Sequence, residues 1–165
     1  MTKTKQGLAL ATALVFGIAS TASAAPQCYR ANEIEADQAM RYQAKLMVLS
    51  DSCSSDSYSQ FVRRNAEVIS SYQHQLIEYF RRTDRHRPED EFDRFLTRLA
   101  NQYALGAGEE KLDSLCLHAA DFLTQAPNFG KDEFRHFVAQ QAADERRSYP
   151  SCEDEQSALS EAPKN

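Results

Sequence analysis

Tryptophan is absent from this chain of 165 residues, and glycine and proline number only five each. A β-sandwich needs turn residues roughly every ten positions, a supply this chain does not have, so the scarcity points to helices joined by short connections. Long apolar runs are also missing after the first few residues, and nothing downstream is long and apolar enough to span a bilayer. There is no Cys-x-x-Cys, no Gly-rich phosphate loop, no nucleophile elbow and no Ser-His-Asp order, so no residues for redox, nucleotide or hydrolase chemistry stand out. No cofactor is expected. Basic charge is short as well: 19 Lys and Arg face 24 Asp and Glu, a formal charge of −5. That balance argues against nucleic acid and anionic membrane surfaces as general partners.

The start of the chain has the pattern of an export signal. Lys3 and Lys5 precede an apolar run from Leu8 to Ile18, and Ala22-Ser23-Ala24 supplies small residues for cleavage. The expected organisation is a signal peptide at 1–24, a helical domain at 25–152 and a disordered acidic tail at 153–165. Ala25-Pro26-Gln27 before Cys28 does not suit a lipid-attached cysteine. The compartment expected is therefore soluble and oxidising, the periplasm or outside the cell. Loss of Lys3 and Lys5 leaves 17 basic against 24 acidic residues in the mature chain.

Five amphipathic segments follow. Asn32 with Glu35 reads as a capping box for a first helix running to about Ser50, with Ala36, Ala39, Met40, Gln43, Leu46 and Met47 on one face. Its last turn, Leu46-Met47-Val48-Leu49, is expected to be the most buried. Ser and Asp residues from Asp51 to Ser57 mark a turn. The second segment has the cleanest period: Tyr58, Phe61, Val62, Asn65, Val68, Ile69, Tyr72, Leu76, Tyr79 and Phe80. Pro88 separates it from a third, with stripe Phe92, Phe95, Leu96, Leu99 and Tyr103, which Gly106-Ala107-Gly108 is expected to end. A fourth carries Leu112, Leu115, Cys116, Ala119, Phe122 and Leu123, and a fifth Phe134, Phe137, Val138 and Gln141. Short connections favour antiparallel neighbours, so the fold class expected is all-α, a five-helix, mostly antiparallel bundle; an orthogonal array is the alternative.

The stretch Glu35–Cys53, together with Phe95-Leu96-Thr97-Arg98-Leu99-Ala100-Asn101, Cys116 and Cys152, resembles a group of uncharacterised secreted helical proteins of alphaproteobacteria. The resemblance implies export and paired cysteines, and no activity.

Four cysteines in an exported chain imply two disulfides with three possible connectivities. Cys28 and Cys53 flank a helix of roughly 27–30 Å and cannot bond directly. The pairing expected is Cys53 with Cys116 and Cys28 with Cys152. Cys28 with Cys116 and Cys53 with Cys152 stays open.

Three other constellations invite functional readings. Glu133-Phe134-Arg135-His136 has the Glu-x-x-His spacing of di-iron bundles, but such sites need a second copy and two more inward carboxylates, and His136 falls away from the apolar stripe. No metal is expected there. Arg81, Arg82, Arg85, His86 and Arg87 form a basic patch, which reads either as a solvated loop whose arginines suit the C-terminus of the second helix or as a surface that would receive a periplasmic protein or an acidic envelope component. Gln43 and Asn65 sit amid apolar faces, each eleven residues from a turn centred near Ser54, and are expected to face each other as a buried amide pair. The function expected is a non-enzymatic, disulfide-stapled binding module, with a small-molecule carrier or an enzyme as the alternative.

Overall fold

The computed structural model describes residues 27–83 and 87–153. The expected signal peptide, Arg85, His86 and all of the expected tail except Glu153 lie outside the described residues. Among the described residues five helices form the fold: α1 (Ala31–Ser52), α2 (Ser57–Thr83), α3 (Pro88–Gly108), α4 (Leu112–Gln125) and α5 (Lys131–Glu145). Single 3₁₀ turns follow α4 at Ala126–Asn128 and α5 at Arg146–Ser148. The chain is an all-α bundle, and α1 is its axis, packed against each of the other four helices.

That central position explains the composition of α1. Ala36, Ala39, Met40 and Leu46 are fully enclosed, and the small alanines let neighbouring helices approach. Aromatic side chains from the other elements fill the space around Tyr42, whose ring centre lies 5.4 Å from that of Phe61, 5.1 Å from Phe122 and 5.5 Å from Phe134. Phe61 and Phe134 meet edge to face at 4.8 Å. Such pairs add about 0.5–1.5 kcal/mol each beyond the area they bury.

Several local expectations need correction. The cap of α1 lies two residues earlier than Asn32: the Arg30 N–H donates to the Glu33 carboxylate at 2.7 Å. Glu33 is itself buried, so the cap is fixed by the fold rather than by solvent-exposed propensity. The last turn of α1 is not enclosed all round, because Met47 is 37% exposed at an open end of the bundle. Leu112, expected on a buried face, is 58% exposed. Helix α3 continues through Gly106 and Gly108, neither of which adopts a positive φ. Glycine permits a left-handed cap but does not impose one. Among the described residues a positive φ belongs to Ser54, at 53°, inside the turn between α1 and α2.

After α5 the backbone becomes extended at Tyr149 (φ −111°, ψ 139°). Ser151 pairs with Tyr29 in an isolated parallel bridge, with Tyr29 N–H donating to Pro150 O at 2.7 Å and Cys152 N–H to Tyr29 O at 3.1 Å. Both ends of the described domain are thereby tied together.

Candidate functional site

All four cysteines are bonded, Cys28 to Cys152 and Cys53 to Cys116, with Cα–Cα separations of 4.8 and 5.5 Å. The first bridge fastens the segment after α5 to the one before α1. The second fastens the turn after α1 to the second turn of α4. Each therefore joins parts of the chain that helix packing alone would leave at the periphery.

The basic patch is less available than its sequence implies. Arg82 turns inward, donating to Glu33 at 2.6 Å and to Cys28 O at 2.8 Å, with its guanidinium 5.5 Å from the centre of the Tyr79 ring. Glu33, with a side chain 4% exposed, is the deeper member of this pair. Arg81 pairs with Glu78 and Glu89, and the exposed Arg87 pairs with Asp90. The described arginines thus neutralise the protein's own carboxylates before they can meet a partner's.

The amide pair does not form. Asn65 Nδ2 donates to Phe61 O and to Phe129 O, both at 3.1 Å, while Gln43 Nε2 donates to the Tyr58 hydroxyl at 3.3 Å. The physical reason lies in α2 itself, which kinks at Asn65 (φ −111°, ψ 15°) and offers the Phe61 carbonyl to the side chain. A straight-helix count across the turn therefore misplaces the register. Glu133 acts locally, accepting the Gly130 N–H at 2.7 Å at the start of α5, and His136 is exposed. No cluster of three or more metal-ligating side chains occurs among the described residues.

Sequence reasoning missed a buried polar cluster beside the Cys28–Cys152 bridge. Asp37, 1% exposed, accepts from Arg41 Nε at 2.5 Å and from the Tyr149 hydroxyl, which also accepts from Gln38 Nε2 at 2.9 Å. Tyr29 stacks on Tyr79 at 4.1 Å and meets Tyr149 edge-on at 5.1 Å. Burial, reinforced by the nearby Asp37 charge, pushes the Tyr149 hydroxyl up to about 12, and burial raises Tyr29 further. The Asp37/Arg41 spacing of four was a readable helix pair, whereas the arrival of Tyr149 across 112 positions carried no local signal. These groups satisfy one another, so the cluster is a latch rather than a site.

A concave feature lies at the opposite end, where the second disulfide sits. Met47, Val48, Asp51 and Ser52 of α1, Ser55, Asp56, Tyr58 and Ser59 at the entry to α2, and Ala104 of α3 line a groove of about 530 Å³. Ser50, buried beneath it, accepts the Tyr58 N–H at 3.1 Å and so fixes where α2 begins. Asp51 and Asp56 are exposed and form no ion pair with a described residue. Exposed Leu105 and Leu112 flank the α3–α4 connection at the same end. The result is an apolar floor with an acidic rim. No helix among the described residues is long and apolar enough to cross a membrane. No family model, curated protein or solved structure matches the chain.

Proposed function

We propose that this protein is a non-enzymatic, disulfide-stapled binding module of the periplasm or cell exterior, and that its end groove receives a protein partner through a basic segment with an apolar anchor. One observation carries the reading: Met47 stands exposed in a 530 Å³ groove whose rim carboxylates, Asp51 and Asp56, have no cation of the described chain to meet. An exposed methionine adapts to varied apolar side chains, and unneutralised carboxylates steer a cationic partner. The Cys53–Cys116 bridge supports the reading, because it fastens the turn between the groove's α1 and α2 walls to α4. An acidic envelope component at the basic loop is the weaker choice, since Arg81, Arg82 and Arg87 already serve internal carboxylates.

The test uses a photo-crosslinking residue in place of Met47 in the oxidised, exported protein, with the same residue at the exposed Glu67 as control. Exposed to its own envelope extract, the Met47 variant should capture a discrete protein through a Lys- or Arg-rich segment. Capture should fall with added salt and with Asp51→Asn/Asp56→Asn. Equal capture from both positions, or capture indifferent to those two carboxylates, overturns the proposal.

A further inference from the structure

A second concavity, independent of the end groove, lies halfway along α1. Gln38, Arg41, Tyr42 and Lys45 stand at i, i+3, i+4 and i+7 and so share one stripe of the helix. Tyr103 of α3, Phe122 of α4, and Phe137 and Gln141 of α5 close around that stripe, leaving a cavity of about 340 Å³. This lies within the roughly 300–1,000 Å³ that small-molecule clefts occupy. Four helices contribute to it, which a crevice between two neighbours would not require.

Its charge is unusual for an acidic chain. Asp37 takes the Arg41 guanidinium through contacts of 2.5 and 3.5 Å, so this cation is already neutralised and held in place. Lys45 is different: its ammonium lies 5.1 Å from the centre of the Phe122 ring and has no carboxylate partner among the described residues. One net positive charge remains. Around it, Tyr42 is in direct contact with Phe122 at 5.1 Å and Phe137 at 5.2 Å, and the half-buried Phe122 and Phe137 present the aromatic wall of the cavity against which another ring can pack. The Tyr103 hydroxyl and the Gln141 amide form no hydrogen bond with a described residue. Burial raises the Tyr103 pKa, so its hydroxyl keeps its proton and remains a donor.

We propose that this groove binds a small aromatic monocarboxylate, with the carboxylate at Lys45 and the Tyr103 hydroxyl and the ring among Tyr42, Phe122 and Phe137. A dianion finds only one uncompensated charge, because Asp37 occupies Arg41. An anion without a ring leaves the aromatic walls unused.

The test is a solution NMR titration of the oxidised protein with benzoate, with benzyl alcohol as the neutral counterpart and inorganic phosphate as the ringless anion. Benzoate should give saturable shifts centred on Gln38, Lys45, Tyr103 and Gln141. Lys45→Gln, at an exposed position and so with an unchanged melting temperature, should weaken benzoate at least about fivefold, and loss of the ligand charge in benzyl alcohol should weaken binding comparably. Phe122→Leu should weaken benzoate but leave phosphate unchanged. Shifts that do not saturate, shifts centred elsewhere, phosphate binding as tightly as benzoate, or indifference to Lys45→Gln each overturn the assignment. None of these outcomes bears on the Met47 groove, whose partner is read by a separate crosslink.

Discussion

At the scale of single residues, the largest energies belong to charges taken out of water. Glu33 keeps its carboxylate inside the fold because the Arg30 N–H and the Arg82 guanidinium both donate to it. Removing one member of such a pair strands the other. Arg82→Ala should therefore cost about 3–5 kcal/mol, read as a lower urea midpoint at unchanged slope. Arg87→Ala, at a side chain 73% exposed, should stay within about 0.5 kcal/mol. A triple change of Arg82, Arg85 and Arg87 consequently confounds binding with folding, and Arg82 has to be left intact in any probe of that loop. If Arg82→Ala proves neutral, Glu33 is not held by the pair described here.

At the scale of elements, Asn65 and the two disulfides decide how the helices are joined. The Asn65 amide satisfies a carbonyl within α2 and another at Phe129, so it ties the kink to the connection between α4 and α5. Asn65→Leu leaves both carbonyls without this donor and should cost about 1–3 kcal/mol. Because Gln43 bonds Tyr58 instead, the Gln43→Leu and Asn65→Leu losses should add within about 0.5 kcal/mol in a double-mutant cycle, and strong coupling would restore the direct pair.

The bridges span 124 and 63 positions. Closure entropy grows only as a logarithm, about 0.6 kcal/mol per doubling, so total stability will not tell the bridges apart. Replacing either pair by serine should cost about 2–5 kcal/mol. Hydrogen exchange will separate them. Loss of Cys28–Cys152 should raise exchange near Tyr29 and Tyr149–Ser151, whereas loss of Cys53–Cys116 should raise it in α4, whose buried residues are Ala119 and Leu123 alone.

For the molecule as a whole, the aromatic core makes alkaline pH the sensitive direction. Burial raises the hydroxyls of Tyr29, Tyr42, Tyr72, Tyr79, Tyr103 and Tyr149 above their ordinary value. A tyrosine whose folded pKa exceeds its unfolded one holds its proton more tightly when folded, so its contribution is complete below the unfolded value and declines as pH rises through the folded one. For Tyr149 that window runs from the ordinary value of 10.0 to about 12. Thermal melts should therefore be flat at neutral pH and fall steeply above about pH 10. Tyrosinate absorbance should rise together with loss of helical circular dichroism, and ionisation that clearly precedes unfolding would show these hydroxyls to be accessible.

How much of this was legible in the sequence depended on range. Helical period along Phe61, Val68, Tyr72 and Leu76 determined the elements, because an apolar stripe must be buried wherever the helix goes. Four cysteines and a helix too long for Cys28 to reach Cys53 removed one of the three pairings, because bond geometry rules by distance alone, and the packed helices chose between the other two. Four decisions came only from tertiary structure: the inward turn of Arg82, the kink at Asn65, the meeting of Tyr149 with Asp37, and the stripe from Gln38 to Lys45 becoming one wall of a cavity. Each joins residues far apart in the chain, where local spacing carries no information. The first three are settled by desolvation: a charge or amide that must leave water takes whichever partner the packed helices bring within reach.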